Sequence, residues 1–168
     1  MESRAKLLGH PIHPMLIPFP LGLLATAVIF DIVYLVMHAP AIATSAYYII
    51  AAGIIGGLLA APFGLMDWLA IPAKTRAKSI GLAHGLGNVV VLAAFAASWW
   101  LRRKAATAAV PFDPSSLALV FSFAGFALAG VTGWLGGELV DRLGVGVDDG
   151  AHLDAPNSLT RRPAGGRS

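Results

Sequence analysis

Four long stretches of apolar residues, separated by short polar breaks, dominate the chain. They run over residues 15–37, 47–66, 84–101 and 117–140. A helix that crosses a bilayer needs about 20 mostly apolar residues, so each stretch is long enough to span. The pattern predicts an all-α protein, namely a polytopic membrane four-helix bundle formed by residues 15–140.

Polar segments frame this predicted transmembrane domain. Residues 1–14 form a cytoplasmic N-terminal segment, and residues 141–168 are rich in Gly, Asp, Pro and Arg. That composition predicts a cytoplasmic, mostly disordered tail. The small residues at 39–41 resemble a cleavage site, but the first apolar stretch exceeds the about 7–15 residues of a signal-peptide core, which favours a retained helix.

The composition agrees with a chain that lies partly in lipid. Hydrophobic residues make up 57% and charged residues 12% of the chain, whereas an average soluble domain has about 25% charged residues. The chain has no cysteine, which excludes disulfides, thiolate metal sites and cysteine nucleophiles within it. It also has no Walker loop, nucleophile elbow or HExxH motif, so an electron carrier or structural component is favoured over an enzyme.

Basic residues predict the orientation in the bilayer. Only Arg102, Arg103 and Lys104 fall on one side. The other side holds nine: Arg4, Lys6, Lys74, Arg76, Lys78, Arg142, Arg161, Arg162 and Arg167. The positive-inside rule therefore places both termini in the cytoplasm, with a bacterial inner membrane as the expected location. Because the basic residues lie in loops and tails, we expect no nucleic-acid partner.

Small residues recur every four positions on two of the stretches. One stripe contains Gly53, Gly57 and Ala61, and the other contains Gly125, Ala129, Gly133 and Gly137. Such stripes let helix backbones approach closely in lipid. They serve packing within the bundle, and a homo-oligomer formed through the same faces is the further possibility.

Polar residues gather where the first and third stretches begin and the second and fourth end. Alternating helix directions bring these ends to one membrane face. Neutral imidazole is a good ligand for iron, zinc and haem, and facing helices of a bundle can supply ligands together. We therefore predict a cofactor site lined by His10, His13, His84, Trp68 and Trp134, or a metal site formed by His13, His84, Asp67 and Glu138.

A network of interfacial polar residues is the alternative. His10 and His13 would then cap a helix start, Glu138 would pair with Arg142, and Asp67 would pair with Lys74 or Arg76. Asp31 lies inside the first stretch, where an acid is costly. It is a candidate for a proton path, and the polar partners considered for it are Thr44, Ser45, Tyr47 and Tyr48.

Several short motifs resemble one known family. They are Gly9-His10-Pro11-Ile12-His13-Pro14, Gly64-Leu65-Met66-Asp67-Trp68, His84-Gly85-Leu86 and Trp134-Leu135-Gly136-Gly137-Glu138-Leu139-Val140. Together they resemble a bacterial four-helix transmembrane family labelled domain of unknown function 2231, over roughly residues 8–150. The His-Pro-x-His-Pro opening is the most specific of them.

The resemblance implies a four-span bundle in the inner membrane. Some relatives look fused to Rieske or cytochrome c domains, which implies redox chemistry, with such proteins as partners besides the lipid bilayer. Relatives often have His where this chain has Pro18 and Glu138. A haem b held by two histidines would then need His10 or His13 together with His84, and Glu138 would favour a mixed His/carboxylate site for iron or zinc.

Two functional hypotheses follow from these observations. The first is a redox membrane protein that carries electrons through haem b or a bound metal at the cytoplasmic face. The second is a non-redox transporter, channel or assembly partner, whose polar cluster is an interfacial network.

Overall fold

The computed structural model describes residues 1–104 and 110–159. A short antiparallel hairpin comes first, with Lys6 opposite Pro11 and Leu7 opposite His10. The strands are β1 (Lys6–Leu7) and β2 (His10–Pro11), and the helices are α1 (Ile12–Leu16), α2 (Pro18–Met37), α3 (Pro40–Ala70), α4 (Arg76–Lys104) and α5 (Ser116–Gly137), which continues into a π-helix over Glu138–Arg142.

Within the described residues, four helical segments are long and apolar enough to cross a membrane. They are Ile12–Met37, Pro40–Ala70, Arg76–Lys104 and Ser116–Arg142, with mean hydropathies of 1.8 to 2.1. The predicted all-α, four-span fold is confirmed. Helices α3 and α4 extend beyond the apolar stretches 47–66 and 84–101 at both ends, because the residues that flank these stretches are also helical.

Local sequence explains where the helices begin and end. Pro18 and Pro40 start α2 and α3, where a missing N–H costs nothing and the fixed φ suits a helix. His38 ends α2 in the left-handed conformation with φ of 52°. Ser115 caps α5, because its hydroxyl accepts the backbone N–H of Ala118 at 3.3 Å.

Large apolar side chains cover the outside of the bundle. Val36 is 77% exposed, Phe19 62% and Leu59 61%. Monomeric soluble proteins rarely expose contiguous apolar surface on this scale, so these side chains are placed to contact lipid. The buried core is smaller and includes Leu24, Ala27, Val28, Ile50, Val91 and Phe95.

The bundle consists of two helical hairpins that run in the same direction. The first hairpin, residues 12–70, pairs α2 with α3, and the second, residues 76–142, pairs α4 with α5. Contacts between α3 and α4 and between α2 and α5 join the hairpins, which leaves α2 and α4 as diagonal neighbours. This arrangement is the one expected for two parallel repeats related by a twofold axis along the membrane normal.

Close helix contacts repeat in the two hairpins. A Cβ on Gly53 would lie 2.6 Å from the Leu24 side chain, and a Cβ on Gly125 would lie 3.1 Å from the Phe95 ring. Phe95 follows Leu24 by 71 positions, and Gly125 follows Gly53 by 72. We call residues related by these two spacings, 71 on the first helix and 72 on the second, equivalent positions.

The predicted stripe of small residues on α5 packs at only some of its positions. Gly125 approaches α4 closely, whereas a Cβ on Gly133 would meet nothing within 4 Å. Substitution should therefore be tolerated at Gly133 and costly at Gly125. The predicted homo-oligomer through these faces stays a prediction.

The two ends of the described chain meet at one face of the bundle. The Met1 ammonium donates to the Gly144 carbonyl at 2.9 Å, and the Gly146 N–H donates to the Met1 carbonyl at 2.9 Å. The predicted tail, residues 141–168, thus begins with contacts to the N-terminal segment. Its last part, residues 160–168, lies outside the described residues.

Candidate functional site

The imidazole of His84 is held in one tautomer by α5 and by its own helix. Nδ1 lies 2.8 Å from the carbonyl oxygen of Thr132, and because a carbonyl can only accept, Nδ1 carries the ring proton. Nε2 therefore keeps its lone pair, which lies 3.2 Å from the amide nitrogen of Asn88. The Thr132 hydroxyl in turn donates to the Asn88 side-chain oxygen at 3.0 Å.

The imidazole of His13 is held in the same way by α3. Its Nδ1 lies 3.0 Å from the Ala60 carbonyl oxygen, so Nδ1 again carries the proton. In residues 1–104 and 110–159 no protein group donates to Nε2 of His13. The ring fits against Gly64, where a Cβ would come within 2.7 Å of the ring carbon Cε1.

His13 and His84 occupy equivalent positions, 71 residues apart. Each donates to a carbonyl on the second helix of its hairpin, and each packs on the glycine four residues after that carbonyl, which in the second hairpin is Gly136. We call these two histidines, each anchored through Nδ1 to a carbonyl of its own hairpin, the paired-imidazole site.

The carboxylate of Asp67 is occupied by the N-terminal segment. The Ser3 hydroxyl lies 2.7 and 2.8 Å from its two oxygens, and the backbone N–H of Arg4 donates to one of them at 2.8 Å. Asp67 is 9% exposed. The predicted pairing of Asp67 with Lys74 or Arg76 is wrong, because the N-terminal segment folds over the end of α3 and supplies the donors instead.

Charged residues tie the N-terminal segment to the chain beyond the π-helix. Lys6 Nζ lies 2.6 Å from a Glu2 carboxylate oxygen and 3.3 Å from Asp148. The hydrogen bond to Glu2 is the largest cause that raises the pKa of Lys6. The backbone N–H of Gly150, 3.0 Å away, is the largest cause that lowers the pKa of Asp148, and Lys6 adds to it.

Glu138 pairs with the first residue of α4, within the second hairpin. Its carboxylate lies 2.7 Å from the Arg76 guanidinium. The predicted i,i+4 pair with Arg142 is wrong, because Glu138 begins a π-helix and its side chain reaches the start of α4 instead. Arg142 lines an open depression with this pair.

Three other predicted site residues have surroundings of their own. His10 is exposed in β2, with Nε2 3.3 Å from the Ser158 hydroxyl. Trp68 joins the end of α3 to the start of α4. Its Nε1 donates to the Lys78 carbonyl at 3.1 Å, and the Lys78 ammonium lies 4.0 Å from the centre of its ring. Trp134 is 64% exposed on the outer surface of α5.

The predicted metal ligands are not gathered into one cluster. Among the described residues, no group of three or more His, Cys, Asp or Glu side chains could hold a metal ion. Asp67 and Glu138 have protein partners, as described above. His13 and His84 are each bonded through Nδ1 to a backbone carbonyl.

At the opposite end of the bundle, Asp31 forms a fully buried ion pair with Arg102. The two guanidinium nitrogens lie 2.8 and 2.6 Å from the two carboxylate oxygens, and both side chains are 0% exposed. Ser98 and Ser122 accept further hydrogen bonds from Arg102 at 3.2 and 3.1 Å. None of the four residues predicted as partners of Asp31 contacts it, and the side chain of Arg102 lies inside the bundle.

Sequence reasoning missed Arg102, Asn88, Thr132 and the Ala60 carbonyl. Arg102 was interpreted as part of a basic stop signal because two more basic residues follow it. The spacing of 71 residues was the available signal, since it relates His13 to His84 and also Asp31 to Arg102. An acid inside a span also requires a partner, and a basic residue at the equivalent position is one.

No curated protein and no solved structure matches this chain. The family model described as Predicted membrane protein (DUF2231) matches residues 9–149, which include both hairpins, the paired-imidazole site and the buried ion pair. The match covers most of the 168 residues and agrees with the four spanning helices. The chain therefore belongs to the DUF2231 family of membrane proteins.

Proposed function

We propose that the paired-imidazole site binds one haem b, with His13 and His84 as its two axial ligands, and that the protein carries electrons in a bacterial inner membrane. The observation that carries this proposal is the shared geometry of the two histidines. Both rings are anchored in the same way, because each donates from Nδ1 to a carbonyl oxygen on the second helix of its hairpin. Metal-ligating histidines are typically held in this way, since the bond at the other nitrogen fixes tautomer and orientation.

The number of available ligands favours haem over a bare metal ion. A structural zinc site needs four protein ligands and a catalytic one needs three. The described residues offer no group of three. A haem supplies four nitrogens of its own, so two histidines complete the six ligands of its iron.

A haem held by both histidines would supply electron transfer rather than catalysis, because its iron would have no position left for a substrate. Asn88 donates to Nε2 of His84, so that nitrogen would hold the iron only with the amide turned away from it. The Thr132 hydroxyl donates to the Asn88 oxygen and would keep the amide in place.

We also propose that both termini face the cytoplasm, as the basic residues predict. Burial of Arg102 in the ion pair leaves Arg103 and Lys104 as the exposed basic residues at the opposite end of the part of the chain that the structure describes. The asymmetry of charge is therefore larger than the sequence alone indicates. A reporter enzyme fused to the C-terminus and active only in the cytoplasm should be active, and periplasmic activity would contradict this orientation.

The experiment is expression with added haem precursor and iron, followed by absorption spectra and haem assay of the detergent-purified protein. The wild type should show a Soret band and about one haem per chain, a stoichiometry that follows from one pair of axial ligands. His13→Ala and His84→Ala should each lose the haem while the protein still inserts, because insertion depends on the apolar spans.

His10→Ala and His38→Ala are the matched controls. His10 is exposed on β2 and His38 lies at the opposite end of α2, so both variants should keep wild-type haem content. A colourless wild-type protein would contradict the proposal. Haem that survives in the His13→Ala variant but is lost in the His10→Ala variant would contradict the assignment of the ligands.

A further inference from the structure

The ion pair joins equivalent positions of the two hairpins with opposite charges. Asp31 on α2 and Arg102 on α4 are 71 residues apart, the same spacing that relates His13 to His84. The pair bridges the diagonal of the bundle and is fully buried. At this one depth, the first hairpin thus presents an acid where the second presents a base.

Any pairing of like hairpins would bring like charges together in the core. Two first hairpins related by the same axis would bury two aspartates, and two second hairpins would bury two arginines. An uncompensated charge inside a membrane bundle is costly, and two like charges in contact are worse. A first hairpin joined to a second is the only combination that buries a neutral pair.

We infer that Asp31 and Arg102 form a recognition pair. They make the inner face of each hairpin bind the other kind of hairpin, and they prevent it from binding a second copy of the same hairpin. Repulsion between like charges selects against the pairing of two like hairpins, and attractive packing alone does not provide this selection. This inference does not depend on haem binding. It concerns how two nearly equivalent hairpins choose each other while the bundle assembles in lipid.

The residues around the pair fix which hairpin carries the base. Ser98 and Ser122 accept hydrogen bonds from Arg102. The equivalent positions of the first hairpin, Ala27 and Ile50, are apolar. An arginine placed at position 31 would therefore find its carboxylate partner but lose the two hydroxyl acceptors.

Cysteine cross-linking in the full-length chain tests the inference, because the wild type has no cysteine. Gly57→Cys with Leu92→Cys reports contact between the hairpins, since a Cβ on Gly57 would lie 2.7 Å from the Leu92 side chain. Phe19→Cys with Gly56→Cys is the control within the first hairpin, because those Cβ atoms would lie 3.5 Å apart and no contact of the Gly56 Cβ would be closer than 3.3 Å.

In each cysteine background, three charge variants are compared with the wild type. Asp31→Arg and Arg102→Asp, each alone, should reduce the cross-link between hairpins several-fold and leave the cross-link within the first hairpin unchanged. The double exchange, Asp31→Arg with Arg102→Asp, should recover much of the cross-link between hairpins. The recovery should be incomplete, because Ser98 and Ser122 would then lie beside the aspartate instead of the arginine. Wild-type cross-linking in either single variant, or no recovery in the double exchange, would overturn the inference.

A neutral variant tests rejection directly. With Asp31→Leu and Arg102→Leu, nothing repels a like hairpin, so two chains should pair through their first hairpins. The position equivalent to Leu92 is Leu21, so Gly57→Cys with Leu21→Cys should give cross-linked dimers in this neutral background and none when the ion pair is intact. Absence of dimers in the neutral background, or their presence with the pair intact, would show that the charges do not select the partner.

Discussion

The two ends of the bundle axis carry equivalent residues with different chemistry. At one end the equivalent residues are identical, His13 and His84, and each donates from Nδ1 to a carbonyl of its own hairpin. At the other end they are opposites, Asp31 and Arg102, and they satisfy each other at 2.6 and 2.8 Å. The two histidines are thus each bonded within their own hairpin, whereas the two charged residues join the hairpins.

The largest expected effect comes from breaking the charged end. Arg102→Met removes one partner and leaves the Asp31 carboxylate buried and unpaired. Loss of one partner of a buried pair typically lowers the free energy of unfolding by about 3–5 kcal/mol. The thermal unfolding midpoint of the detergent-purified variant should fall sharply.

Arg103→Met is the matched control for this prediction. Arg103 is the next residue on the same helix, and it is exposed near the Trp100 ring. Its replacement should leave the midpoint close to the wild-type value. Equal midpoints for the two variants would show that the buried pair does not stabilise the bundle.

The second effect separates the two ends by function. His84→Ala should abolish haem retention and leave the cross-link between Gly57→Cys and Leu92→Cys in place, since His84 contributes no charge to the core. Arg102→Asp should instead reduce that cross-link several-fold. The cross-link and the haem content are measured on the same preparations, and loss of the cross-link in His84→Ala would contradict the division of roles.

A smaller effect tests the equivalence of the two histidines. A methyl group on Gly64 would lie 2.7 Å from the His13 ring, and one on Gly136 would lie 3.2 Å from the His84 ring. Both Gly→Ala variants should weaken haem affinity, and the effect should be stronger at Gly64, where the clash is tighter. Gly133→Ala is the control because its site is open, and a haem titration of the three variants measures the order.

The smallest effect concerns the contact of the N-terminal segment with residues beyond the π-helix. The pKa of Asp148 is lowered in the folded protein, so its contact contributes above the usual pKa of about 4 and is lost as the pH falls through the folded value. The pKa of Lys6 is raised, so its contribution is complete below the usual pKa of about 10.4 and is lost at higher pH.

Protection of the N-terminal segment from proteolysis should therefore be greatest between these limits. It should decrease in acid in the wild type, and the decrease should be smaller in Asp148→Asn. An acid response of the same size in both proteins would rule out Asp148 as the titrating group.

Apolar runs were sufficient to predict the four spans, because lipid requires about 20 apolar residues whatever the helices pack against. They were insufficient for the helix ends. Asp67 was interpreted as a terminus, yet α3 continues to Ala70, since Ser3 and Arg4 supply the donors that its carboxylate needs. That partner lies 63 or 64 residues away, and no local pattern reveals it.

The candidate site was predicted in part for the same reason. His13 and His84 were predicted from their positions near the starts of the first and third apolar stretches, and the structure gives both the same kind of Nδ1 hydrogen bond. Glu138 was predicted as a ligand or as a partner of Arg142, but a π-helix at the end of α5 turns it towards Arg76. The direction of a side chain at an irregular helix end depends on tertiary packing, which composition and spacing do not contain.

Electron paramagnetic resonance of the oxidised, haem-loaded protein tests whether His13 and His84 hold the iron, because the signal of ferric haem reports its axial ligands. With both histidines bound to the iron, we expect a single low-spin signal in the wild type. We expect the variants His13→Ala and His84→Ala, loaded with excess haem, each to give a high-spin signal or no haem signal. A high-spin signal in the wild type, or a low-spin signal that survives removal of either histidine, would contradict ligation by the two equivalent imidazoles.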